Sequence, residues 1–271
     1  MSPRPTTLSP TVRIWRATDG VIFAIVLGSA LYGCSLAAAA AADADLEARI
    51  QYAFYTVEPR ALQQIATALE TDAGQAYWLS LAHYRLAQLA MGDTAVGVAR
   101  DESAAARHAR RCLDVLEQAA RPTVSTPEAL GLQAACAALL GRASLLAAPL
   151  ANARSANQLR SAALADARNP RVRLIAATVN FERDLLDPEA RERVLLDLGQ
   201  VVTLFEAERR DSVALPTWGA AEAYWYLGRV LAANSDTIAA RAALEQSLLL
   251  APDFEAAKEL VARLVGRGTG R

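Results

Sequence analysis

Few residues in this chain have the types and spacing that bond-making chemistry needs. Two histidines, His83 and His108, and three cysteines, Cys34, Cys112 and Cys136, are its whole stock of imidazoles and thiols. His108 and Cys112 lie four apart, so a helix would present both on one face. A metal site built on them would need further ligands, and no nearby cluster supplies any. HExxH, a phosphate-binding loop, GxSxG and a GxGxxG after a strand are all missing from the sequence. The carboxylate pairs Asp101-Glu102 and Glu182 with Asp184 stand at helix starts or amid arginines, where capping and i,i+4 pairing account for them. The expectation is therefore no catalytic residue, no metal and no cofactor.

Cys112 and Cys136 are almost equally far from the turn at Arg121–Ser125. An antiparallel helical hairpin would bring them to similar heights. Both sit in apolar stripes, with Ala109, Leu113 and Leu116 around one and Leu132, Leu139 and Leu140 around the other. A disulfide is one reading, subject to Cα atoms within about 7 Å. Two buried free thiols are the other.

The elements that would hold these residues are helical. The chain is 53% hydrophobic and rich in alanine and leucine, with only 6% aromatics, which favours helices over strands. Its net charge of −1 leaves no electrostatic footprint for nucleic acid. Positive charge is almost all arginine, Lys258 being the one lysine. Periodicity places helices over about 45–56, 58–70, 73–92, 101–120, 126–147, 153–168, 170–184, 187–208, 217–233, 236–249 and 253–266. Pro59, Pro122, Pro127, Pro170, Pro188, Pro216 and Pro252 fall at or near starts, where proline is tolerated. No linker interrupts residues 45–266, which read as one all-α domain followed by a disordered tail at 267–271.

Tyr224 to Pro252 carries the clearest internal pattern. Tyr224, Leu227, Gly228 and Leu231 share one helical face, and Ala240 and Leu244 line a second helix. Gly228 and Ala240 permit close approach, Asn234-Ser235-Asp236 supplies turn and cap chemistry, and Pro252 opens the next turn. The unit resembles the tetratricopeptide repeat, a 34-residue helical hairpin that stacks into a superhelix and binds peptides or proteins. Leu204-Phe205-Glu206 followed by Pro216-Thr217-Trp218-Gly219 also resembles uncharacterised bacterial exported repeat proteins. The resemblance is close over about 170–266 and degenerate before it. It implies a solenoid of about five helix pairs. It also implies that Glu222, Trp225 and Arg229, on the face away from Tyr224 and Leu227, line a concave groove as candidate partner-binding residues.

The N-terminus reads as an address. Arg4, Arg13 and Arg16 precede an apolar run from Val21 through Gly33, as in a secretory signal. Leu31-Tyr32-Gly33-Cys34 resembles a bacterial lipobox, which implies lipid attachment at Cys34. Cleavage near Ala42-Asp43-Ala44, or an uncleaved anchor over Val21–Ala42, are the alternatives. Each gives residues 1–44 to a leader or anchor and puts the remainder on the periplasmic side of a membrane. The combined expectation is a non-enzymatic scaffold of the bacterial cell envelope that binds a partner protein or peptide. The alternative is a solute-binding accessory subunit of a transporter.

Overall fold

The computed structural model describes residues 40–92, 99–119, 124–211 and 216–268. The chain divides into two units, Met1–Asp43 and Ala44–Arg271. Cys34 and the leader over 1–39 lie outside the described residues. Of the first unit only residues 40–43 are described, and they are helical.

The described residues are helical and contain no strand. α1 covers 40–55. It is followed by α2 (Pro59–Leu69), α3 (Ala76–Met91), α4 (Glu102–Gln118), α5 (Thr126–Ala143) and α6 (Ala148–Ala165). Then come α7 (Pro170–Thr178), the short α8 (Phe181–Asp184), α9 (Pro188–Asp211), α10 (Ala220–Ala233), α11 (Thr237–Leu250) and α12 (Glu255–Gly268). Residues 269–271 lie outside the described part. Helices close in sequence pack in pairs: α3 with α4, α5 with α6, α7 with α9, α10 with α11.

Several boundaries differ from the periodicity, each for a local reason. The helix expected to run to 147 stops at Ala143, and the next begins at Ala148, because Pro149 fits its first turn, where a missing N–H costs nothing. The helix expected over 170–184 breaks into α7 and α8 around Val179 and Asn180. The start expected at 217 moves to Ala220 because Gly219 takes φ 110°, outside any helix. A side chain there would also meet Phe205 at 2.7 Å. Asp101, Asn169 and Asp236 cap α4, α7 and α11 by accepting from backbone N–H groups of the first turn.

The hairpins are held close by small residues. Ser80 Oγ donates to the Cys112 carbonyl, Ser155 Oγ to that of Ala134 and Ser247 Oγ to that of Ala221, one buried stitch for each of three pairs. Gly228 faces Leu244 in a close approach of α10 and α11; a Cβ there would lie 2.7 Å from Leu244 Cγ and 3.2 Å from the Ala240 carbonyl oxygen. Tyr224, by contrast, turns away from that hairpin and donates to Glu206 on α9 at 2.5 Å. Gly199 on α9 meets nothing within 4 Å. Gly199→Ala should therefore stabilise by about 0.5–1 kcal/mol through helix propensity alone. Gly228→Ala should destabilise by about 1–2 kcal/mol, because overpacking outweighs the same gain. Urea denaturation of the two variants checks this, and equal signs would refute the close approach.

The core places the inner helices. On α3 all but one of the sixteen side chains are buried, so that helix is surrounded on every face. The starts of α3, α5, α7 and α10 gather at one edge. There Trp218 Nε1 donates to Tyr77 Oη at 2.9 Å, and Asn169 Nδ2 to Glu128 Oε1 at 2.7 Å. Buried Arg171 joins Glu128 (3.0 Å), Glu208 (2.6 Å) and the Trp218 carbonyl (3.3 Å) at the same edge. The opposite ends of these helices carry the hairpin turns. Arg191, near the start of α9, reaches the Ala233 carbonyl at the end of α10 at 2.8 Å, which fixes the antiparallel sense there.

Candidate binding cleft

A concavity of about 640 Å³ opens at the turn edge. Arg100 and Arg142 enter it from the start of α4 and the end of α5, and Asn152 from the first turns of α6. Asn180, Glu182 and Arg183 enter from the break between α7 and α8. Glu182 is gripped by both Nη atoms of Arg229, at 2.6 and 2.9 Å. Arg183 and Arg100 each have a carboxylate nearby, Asp184 at 3.2 Å and Glu102 at 2.9 Å. Counting these neighbours, the lining is nearly balanced in charge and dense in donors.

The floor is closed. Below Ala138, Arg142 and Val179 a void of about 30 Å³ continues inward past Tyr84, Gln88 and Tyr226 to one of about 10 Å³ beside Arg85 and Glu222. Spaces of that size hold no more than about one water each. Anything larger must stop in the outer concavity.

Arg85 lines the smaller, inner void. It is fully buried, donating to Gln88 at 2.9 Å, to Gln51 at 2.8 Å and to the Glu222 carboxylate. Its guanidinium lies 4.1 Å from the Phe54 ring centroid and 5.1 Å from that of Trp218. Tyr55 Oη donates to the other Glu222 oxygen at 2.6 Å. Burial, with the Glu222 charge beside it, pushes the Tyr55 phenol well above its ordinary range. Burial by itself would lower the Arg85 pKa, but Glu222, with Tyr55 and Tyr84 beside it, outweighs burial and the net shift is upward. One network thus ties α1, α3 and α10 together.

The candidate partner face is therefore relocated. Glu222 and Trp225 are each only 3% exposed, so neither lines an open groove. Glu222 serves Arg85 and Tyr55. Trp225 packs against Phe254 and Tyr226, at centroid distances of 5.6 and 4.7 Å. Arg229 is part-buried, stacked over Phe181 and Trp225 at 4.7 and 4.9 Å while holding Glu182. Helical spacing correctly separated this face from that of Gly228. It could not show that α1 and the segment before α12 cover it. Arg85 carried a legible signal, since it is the one Arg, Lys, Asp or Glu in Ala76–Met91. Its partner, 137 positions away, carried none.

The thiols and imidazoles meet elsewhere. A disulfide joins Cys112 on α4 to Cys136 on α5, with Cα atoms 6.3 Å apart. His108 and Cys112 therefore form no metal pair, and no group of three or more metal-ligating side chains converges among the described residues. His108 instead stacks on His83, Nδ1 to Nδ1 3.1 Å. His83 Nε2 lies 3.7 Å from Glu70, which in turn binds Arg111. Burial, with His108 adjacent, pushes His83 down to about 4, and burial lowers His108 as well. Of the carboxylate pairs, Asp101 caps α4 while Glu102 meets Arg100, and Glu182 and Asp184 take separate arginines.

The histidine pair sets a pH dependence with a definite sign. The folded state takes up these protons less readily than the unfolded chain, whose histidines titrate near 6.5. Stability from His83 is thus complete above about 6.5 and lost as pH falls towards 4, by about 2–3 kcal/mol. His83→Gln should flatten denaturation midpoints across that window. An unchanged slope would remove the pair as its cause.

Fold and cleft together define an all-helical protein built from paired helices, with a polar concavity where the hairpin turns meet. No protein-family model, curated protein or solved structure matches the chain. No helix among the described residues is long and apolar enough to cross a membrane.

Proposed function

We propose that this protein is a non-enzymatic binding module of the bacterial cell envelope. In this reading its tetratricopeptide-like stack receives a short polar segment of a partner protein in the concavity at the turn edge. The observation that carries the reading is the concavity itself: about 640 Å³ and donor-rich from Arg100, Arg142, Asn152, Asn180 and Arg183. Side-chain amides and guanidinium groups suit backbone carbonyls and carboxylates. The Cys112–Cys136 bond supports an oxidising compartment, as do the basic leader and the apolar run ending at Cys34. In the envelope reading, Cys34 carries the lipid, or the apolar run itself anchors the chain.

One observation favours the second reading, a solute-binding accessory subunit of a transporter. The volume lies within the range of single small-ligand sites, about 300–1,000 Å³, and the closed floor limits a ligand's length. Photo-crosslinking in cells separates the two. A benzophenone side chain placed at Asn180 should yield a polypeptide adduct that Arg142→Glu abolishes while far-UV circular dichroism shows the helices intact. Adducts confined to small molecules would favour the solute reading. No adduct from Asn180 or Asn152 would sink both.

A further inference from the structure

α4 is anchored unevenly along its length. At Cys112 it is fixed twice, by the disulfide to Cys136 on α5 and by Ser80 Oγ of α3, which donates to the Cys112 carbonyl. Beyond that point Leu113, Val115 and Leu116 are buried. Before it the buried side chains are alanines, Ala105, Ala106 and Ala109, so little apolar area holds the first two turns. Polar links to α3 come from the Asp101 N–H, which donates to the Ala90 carbonyl at 2.8 Å, and from His108 against His83.

The histidine link tolerates one added proton but not two. With the Nδ1 atoms 3.1 Å apart, one must donate and the other accept. Glu70, 3.7 Å from His83 Nε2, selects the tautomer with the proton there, so His108 Nδ1 donates to His83 Nδ1. A proton arriving on His108 Nε2 leaves that bond in place. A second, on His83 Nδ1, sets N–H against N–H and charge against charge where His83 is only 5% exposed.

The surrounding charges do not cancel this. Glu70, after α2, favours the charged form of His83, and Arg111 of α4, which binds Glu70, opposes it. Arg107 and Asp101 act on His108 in opposite senses. On α3 itself Arg85 is committed to Glu222, and α5 carries no charged residue between Glu128 and Arg142. Burial and His108 prevail, and His83 is pushed down to about 4.

We propose that acidification unlatches the first half of α4, Glu102–Ala109, from α3 by breaking the His83–His108 contact, with Cys112 as the fixed end, and so withdraws Arg100 from the wall of the cleft. The unlatching stands on the helix contacts alone; its effect on binding rests on the cleft reading above.

The test follows hydrogen exchange of the full chain by mass spectrometry at about pH 6 and about pH 4.5, corrected for the intrinsic pH dependence of exchange. His83 titrates near 6.5 when released and at about 4 when latched, so protection should fall at least about tenfold between the two conditions. The fall should be confined to amides of 104–109, with 113–118 and α9 unchanged. His83→Gln should abolish the difference, whether that half then stays closed or open in both conditions. Asp101→Asn, which keeps a cap that cannot titrate, should retain it. Unchanged protection at 104–109 would overturn the proposal. So would an equal fall in α9, or a difference that survives in His83→Gln. Failure of the Asn180 crosslink in both conditions would sink the cleft reading alone and leave the exchange result standing.

Discussion

Arg85→Met is expected to destabilise the protein by about 3–5 kcal/mol at neutral pH, one of the two largest effects the structure predicts. The guanidinium is fully buried and faces the Glu222 carboxylate, itself shut off from solvent. Methionine matches much of the side chain's length but leaves the Glu222 carboxylate in a dry site beside the Tyr55 hydroxyl. It also removes the cation from the rings of Phe54, Tyr84 and Trp218. Arg85→Met combined with Glu222→Gln should recover part of the stability, because no uncompensated charge remains. Guanidinium denaturation of the single and double variants measures this. A single-variant cost below about 1 kcal/mol would mean that the floor is hydrated and the network weak.

Loss of the Cys112–Cys136 bond is the second. The cysteines lie 24 positions apart, and freeing a loop of that length returns about 3–4 kcal/mol of conformational entropy to the unfolded chain. Both sulfurs are buried between α4 and α5, so a Cys112→Ser, Cys136→Ser variant also leaves two hydroxyls in an apolar setting. Cys112→Ala with Cys136→Ala removes the crosslink without that penalty and gives the cleaner number. Reduction of the unaltered protein should move the denaturation midpoint by a similar amount. If neither treatment shifts it, the two helices are held by packing alone and the bond contributes little to stability.

Local rules made much of this architecture readable. Alanine and leucine at helical spacing, with Pro and Asp or Asn at the starts, specify helices because propensity and capping act within a few residues. Asn169 before Pro170 and Asp236 before Thr237 behave as their types dictate. Gly228 was readable because close packing of two adjacent helices is still a local event. At Pro149 and Gly219 such local signals override strict periodicity and set the helix starts at Ala148 and Ala220.

The cleft was less legible. Arg142 and Asn152 flank a turn whose helix ends were misplaced, and Asn180 sits at a break hidden inside an apparently continuous helix. None of the three belongs to a motif, because the stacking of hairpins, not spacing along the chain, brings them to one concavity. Trp225 shows the opposite case. Its residue type suits a binding hot spot, but the same ring area that favours a partner is satisfied here by Phe254 and Tyr226.

The amino-acid order by itself settled that the described chain is helical, that neighbouring helices pair, and which residues cap α4, α7 and α11. These are decided by interactions spanning a handful of residues. Only the tertiary structure decided which faces stay open, which charges are shut inside, and that Arg85 meets Glu222 while His83 meets His108. Those outcomes depend on how successive hairpins stack, and small crossing angles accumulated over several pairs leave no trace in any one segment.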